Sequence, residues 1–135
     1  MSSEIGPAVK RAIDAFNNKD NRTGYFDLYD ENVLLHGFPA GLLPGMAGLK
    51  AFYSGLWKAF PDGRLELSNV VAQGDRVATM YAFTATHQGE FMGVPATGKR
   101  VEVTGMTILR FVGDKCVERW NVADMLSLMQ QLGTK

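Results

Sequence analysis

The chain has little cysteine, no excess of either charge and no long apolar run, and each shortage removes a class of function. Cys116 is the only cysteine in 135 residues, so no internal disulfide is possible and a reducing compartment is expected. Fourteen Lys and Arg cancel fourteen Asp and Glu. The basic excess that draws nucleic acid or an anionic membrane surface is therefore missing. No segment approaches the roughly 18 apolar residues of a membrane span, and the N-terminal MSSEIGPAVKRAIDAF lacks the apolar core of a signal peptide. A cytoplasmic protein with neither nucleic-acid nor membrane partners is expected. Phosphate-binding glycine loops, dinucleotide fingerprints, GxSxG elbows and clustered Cys/His spacings are also absent, which points away from the usual cofactors.

What the chain does have is core-forming material: 46% of its residues are apolar. That content and length predict one globular domain spanning 1–135. The last thirty residues organise it. Met106–Phe111 reads as a strand, Gly113-Asp114 as a tight turn and Cys116–Val122 as the returning strand. Asp124 then stands at an N-cap position before Met125, Leu128, Met129 and Leu132 at helical spacing, and Gly133 ends the run.

Earlier segments supply a cover for this hairpin. Residues 4–18 predict a helix with Ile5, Val9, Ile13 and Phe16 as its apolar stripe. Thr23 can cap a second short helix carrying Tyr25, Phe26 and Tyr29, and Val33–His36 is a brief strand. The clearest helical pattern is Leu49, Phe52, Tyr53, Leu56, Trp57 and Phe60, closed by Pro61. Most of these six side chains are core, with one or two available to line a cavity. Strands follow at Leu65–Gln73, Arg76–His87 and Arg100–Phe111, the first pair joined by Gly74-Asp75. The connection QGEFMGVPATGK (88–99) carries Phe91, Met92 and Val94, apolar residues that suit a loop folded over a pocket mouth. Helices first and an antiparallel meander afterwards make an α+β domain.

Candidate chemistry rests on scattered polar residues at strand ends. His36 and His87 are imidazoles suited to proton transfer near neutral pH, or ordinary hydrogen-bonded residues. Asp124 is a third acid/base candidate, although capping a helix lowers a carboxyl pKa and makes a poor proton donor. His36, His87, Glu118 and Asp124 lack the spacing of a metal site, and no metal is expected. On the return strand, alternation places Cys116, Glu118, Trp120 and Val122 on one face and Val117, Arg119, Asn121 and Ala123 on the other. Neither face is cleanly apolar, so periodicity leaves open which one lines a cavity.

FYSGLWKAFPD (52–62), GDRVA (74–78), THQGEFMGVPATGKRV (86–101) and ERWNVADMLSLMQQLG (118–133) together resemble the SnoaL-like polyketide cyclases and predicted ester cyclases. Gly93, Pro95 and Thr97 with the terminal QLG carry the resemblance, which spans nearly the whole chain. It implies the cone-shaped α+β barrel of nuclear transport factor 2, a strongly curved and mainly antiparallel sheet wrapped around N-terminal helices, with an apolar pocket and a homodimer. It also implies cofactor-free acid/base chemistry, the aldol ring closure of a polyketide ester, on a hydrophobic small molecule.

The family's catalytic Asp falls at Asn121 and its His partner at Thr107. Asn does not move a proton, so the reaction does not transfer simply, and a non-catalytic binding relative is the alternative. His87 matches a T-H-x-G histidine, Asp124 matches a W-x-x-x-D aspartate, and His36 falls near a third family position. The expected catalytic residues are thus His36, His87 and Asp124. The expected substrate-binding set is Tyr53, Trp57, Phe60, Phe91, Met106, Thr107, Trp120 and Asn121.

Overall fold

Residues 5–133 are described by a computed structural model. Helix α1 covers Ile5–Phe16, a 3₁₀ segment Arg22–Leu28, strand β1 Tyr29–His36 and helix α2 Gly45–Ala59. Strands β2 (Arg64–Gln73), β3 (Arg76–Thr86), β4 (Arg100–Val112) and β5 (Lys115–Ala123) follow, and α3 (Met125–Gln131) ends the chain. The sheet runs β1-β5-β4-β3-β2. Its three hairpin pairs are antiparallel, while β1 joins β5 in parallel. The α+β reading holds, with a mixed sheet that is open at β1 and β2 and not a closed barrel.

Local differences from the sequence reading have physical causes. Glu4, and the side chain of Ile5, lie outside the described residues. On α1 the buried face is Ala8, Ala12, Ala15 and Phe16, whereas Val9 and Ile13 are half-buried. Small alanines let α1 approach the 3₁₀ segment closely: a Cβ on Gly24 would lie 3.2 Å from that of Ala15. Val9 and Ile13 then line an open apolar groove against Leu67, Val70 and Ala72 of β2. Asn21, not Thr23, precedes the second helix, and it contributes no side-chain cap. Tyr29 opens β1 instead of continuing that helix.

Strict alternation fails once on β5. Arg110 pairs with Glu118, but the next residue, Phe111, pairs with Cys116, leaving Val117 as an extra residue in a bulge. Cys116 therefore turns inward and is fully buried, instead of sharing the face of Glu118 and Trp120. Burial in turn pushes its thiol up to about 11, so it stays protonated.

The core lies between the inner sheet face and the helices. Phe16 sits at its centre, edge-on to Tyr25, Tyr53, Trp57 and Phe83. Leu49, Ala59, Phe60, Val33 and Ala85 are almost completely buried around it. The spacing that predicts α2 is realised, with Leu49, Tyr53 and Phe60 buried and Phe52, Leu56 and Trp57 half-buried.

Asp62 fastens the turn after α2 to the end of β3. Its carboxylate accepts from the Thr86 amide (2.7 Å), the Thr86 hydroxyl (2.8 Å) and Arg100 (3.0 Å). Burial alone would raise this carboxyl, but the Thr86 bonds and the Arg100 charge hold it below its ordinary value. A depressed folded-state pKa adds stability above the unfolded value, about 3.9, and that contribution disappears as pH falls through the folded value. Asp62→Asn is thus expected to lower stability at pH 6 and to flatten its decline between pH 5 and 2. Urea denaturation at several pH values checks this, and parallel acid profiles for the two proteins would exclude it.

Candidate active site around Arg119

Residues of β1, β4, β5, α2 and the 3₁₀ segment converge on one buried side chain that the family motif does not mark. Arg119 faces inward from β5 and is 6% exposed. Its Nε donates to Thr107 Oγ1 at 2.9 Å. Its Nη1 faces the hydroxyls of Tyr53 (2.7 Å), Tyr29 (3.0 Å) and Tyr25 (3.2 Å), and its Nη2 donates to Asn121 Oδ1 at 3.2 Å. The Phe38 ring covers the guanidinium, 5.2 Å from centroid to Cζ.

All five partners are neutral. None of the ion pairs among the described residues involves Arg119. Burial alone would pull the guanidinium down, but the oxygens of Tyr29, Tyr53 and Tyr25 hold it well above its ordinary value. Burial also raises the phenols of Tyr25, Tyr29 and Tyr81. The cluster is therefore a protonated cation ringed by protonated hydroxyls. A buried charge with hydrogen bonds but no anionic partner is costly, and a bound anion would offset that cost.

Asn121 stands at the less buried edge of this cluster. Besides Arg119, Tyr81 donates to its Oδ1 at 2.8 Å. That reach crosses Gly105, where a Cβ would lie 2.4 Å from the Tyr81 Cζ and hydroxyl oxygen, so only glycine leaves the ring its path. On the other side Gly37 (φ +82°) passes over Asn121 so closely that a Cβ would fall 1.9 Å from its carbonyl oxygen. Thr107 is fully engaged, accepting from Arg119 and donating to the Trp120 carbonyl at 2.7 Å.

The sequence-predicted residues separate into distinct places. Tyr53, Thr107 and Asn121 meet at Arg119. Phe60, Phe91 and His87 form a second group, with ring centroids 5.2 Å (Phe60–Phe91) and 5.3 Å (Phe60–His87) apart. His87 lies eight residues along from Thr79, the β3 partner of Thr107, or roughly 25 Å of strand. It is fully buried. Its Nδ1 accepts from the Thr97 amide at 3.2 Å, which leaves Nε2 with the proton and without a protein partner among the described residues. Trp57 packs between Phe16 and Phe26, its Nε1 likewise buried and unpaired.

His36, Met106 and Trp120 occupy the opposite sheet face. There His36 bonds Glu118 at 2.8 Å and stacks on Trp120, and Met106 is 61% exposed. Asp124 caps α3, accepting from the Ser127 amide at 3.0 Å. Among the described residues no group of three His, Cys, Asp or Glu converges as a metal site would require, and no helix is long and apolar enough to cross a membrane.

Arg119, Tyr25, Tyr29 and Tyr81 are the functional candidates that motif reasoning passes over. A signal existed: alternation places Arg119 beside Asn121, and an inward charge on a strand is uncommon. Its three phenols, from separate segments, could not be assigned to it without the fold.

The model of the SnoaL-like polyketide cyclase family matches residues 8–132. The chain belongs to this family. Its similarity to aklanonic acid methyl ester cyclase DnrD of Streptomyces peucetius is 29% identity over 98% of this chain and 92% of that protein. Among solved structures, AclR of Streptomyces galilaeus, a candidate hydroxylase, is 34% identical with a TM-score of 0.85, covering 98% of both chains. TsrD of Streptomyces laurentii, at 21% identity and a TM-score of 0.87 over 100% of this chain and 98% of that one, shares the fold. For this SnoaL-like chain the Arg119 cluster is thus a candidate active site within a family scaffold.

Proposed function

We propose that this chain is a cofactor-free cytoplasmic enzyme that closes a ring on a hydrophobic polyketide ester by aldol condensation, with Arg119 at its active centre. One observation carries the reading: a buried guanidinium is surrounded only by neutral donors and acceptors. In an aldol closure, the carbon next to a carbonyl gives up a proton to solvent and the carbonyl oxygen takes the charge. The nucleophilic carbon then bonds to a second carbonyl, whose oxygen takes a proton back from solvent, so protons balance. Arg119 with the Tyr53 hydroxyl stabilises the anionic oxygen in a dry setting, where such preorganised dipoles are worth most. The similarity to DnrD supports an aromatic polyketide methyl ester as substrate. Half-buried Phe38, Phe52 and Leu35, packed against the core, are suited to form the apolar wall of its pocket.

The deciding experiment incubates the protein with aklanonic acid methyl ester and follows ring closure by absorbance and mass. Turnover well above buffer supports the enzyme. Substrate recovered unchanged but bound favours a second reading, a binding relative that has lost the chemistry. Thr107, held between Arg119 and the Trp120 carbonyl, and Asn121, which does not move a proton, speak for that alternative. His87→Gln separates the sites: retained turnover keeps the chemistry at Arg119, and its loss moves proton transfer to His87.

We also propose a homodimer through the outer sheet face, where Met80, Met106, Ile108, Val122, Leu34 and His36 are exposed beside the half-buried Trp120. A patch of this kind supports a subunit contact. Val122→Asp is expected to yield monomers in light scattering, and a wild-type monomer would exclude the dimer.

A further inference from the structure

The orientation of Asn121 reverses the polarity of the position at which the family resemblance implies a carboxylate. Its Oδ1 accepts from both Tyr81 and Arg119, which uses both oxygen lone pairs. The amide has no alternative setting, because a flipped Nδ2 would meet a guanidinium that has no lone pair to offer. Nδ2 therefore points away from both partners, and it forms no hydrogen bond with protein among the described residues.

Two neighbouring groups are in the same condition. Arg119 has five N–H bonds. Thr107 takes the one on Nε, three phenols share the two on Nη1, and Asn121 takes one on Nη2, so one Nη2 hydrogen is unspent. Tyr53 accepts from Arg119 and from Tyr25 (3.3 Å), while its own hydroxyl proton has no protein acceptor. The 2.6 Å bond between Tyr25 and Tyr29 then runs from Tyr29 to Tyr25, and the chain of phenols donates toward Tyr53. The titratable groups facing this edge are Arg119, the four tyrosines and Cys116, and none is a base. Phe38 and Phe52 stand edge to face above it, with centroids 5.3 Å apart.

Resting on the reading of this cluster as the active site, we infer that the site takes its substrate as a preformed conjugated oxyanion, the ionised enol or phenol of a flat aromatic molecule. The anionic oxygen sits on Asn121 Nδ2, Arg119 Nη2 and the Tyr53 hydroxyl, and the ring lies against Phe38 and Phe52. The proton is lost to solvent before the anion binds, so the protein needs no base for this step. A carboxylate at position 121 would instead pair with Arg119 and repel the anion.

The probe is 1,2-dihydroxyanthraquinone, whose visible colour reports ionisation of its phenol. Titrated with and without protein, the dye is expected to show an apparent pKa about one unit lower when bound. That corresponds to the anion binding about tenfold more tightly than the neutral form. Asn121→Asp, a near-isosteric change, is expected to abolish the shift while circular dichroism stays unchanged. Asn121→Leu is expected to reduce it. An unshifted or raised pKa of bound dye, no binding of the dye, or the same shift in Asn121→Asp would each overturn the inference. The ester turnover assay is independent of it. Turnover without anion preference removes this inference and keeps the enzyme; anion preference without turnover does the reverse.

Discussion

Arg119→Met is expected to lower kcat/KM for ring closure by about 10²–10³-fold, the loss typical when a preorganised oxyanion contact is removed. The side chain has similar length and stays apolar, so the core remains filled. Some stability should be lost too, because the Thr107, tyrosine and Asn121 oxygens lose their shared donor, so kinetics are compared on the folded fraction. Arg119→Lys tests the geometry. A single ammonium cannot reproduce the fork that reaches Thr107, the phenols and Asn121 together, so most of the activity should still be lost. Steady-state kinetics alongside urea denaturation make the measurement. Unchanged kcat/KM in a folded Arg119→Met protein would move the active centre elsewhere, with the His87 group next in line.

Phe16→Ala should have the largest effect on stability, about 3–5 kcal/mol for a buried aromatic truncated to alanine. Phe16 is 1% exposed and its ring touches Tyr25, Tyr53, Trp57 and Phe83. No single neighbour can collapse into the space it leaves. A loss of that size is a large part of the 5–15 kcal/mol that holds a typical domain together. Because Tyr25 and Tyr53 rest on Phe16, their hydroxyls should also lose register with Arg119, so activity is expected to fall even where the variant remains folded. Phe16→Leu, which refills much of the volume, should recover most of both. A loss under about 1 kcal/mol for the alanine variant would mean that the helices pack less tightly on the sheet than this arrangement requires.

Much of this architecture was legible in the chain. The α2 stripe from Leu49 to Phe60, the turns at Gly74-Asp75 and Gly113-Asp114, and the Asp124 cap all rest on local rules of periodicity, turn chemistry and capping. Neighbouring residues decide such features, and so a sequence carries them directly. The family resemblance depended on the same kind of contiguous signal. Balanced charge and the lone Cys116 likewise set expectations of partners and compartment from composition alone.

Only the tertiary structure decided which polar residues meet. Arg119 draws on Tyr25, Tyr29, Tyr53 and Thr107 from four separate elements, and no spacing rule links positions so far apart. Whether Cys116 shares a face with Glu118 and Trp120 was set by one bulge at Val117, since a single extra residue reverses which face a side chain occupies, and His36 joins Trp120 only through the pairing of β1 with β5. The direction of the Asn121 amide depends on Tyr81 crossing a glycine on the next strand. The elements follow from local chemistry; the site follows from long-range register, which neighbouring residues do not encode.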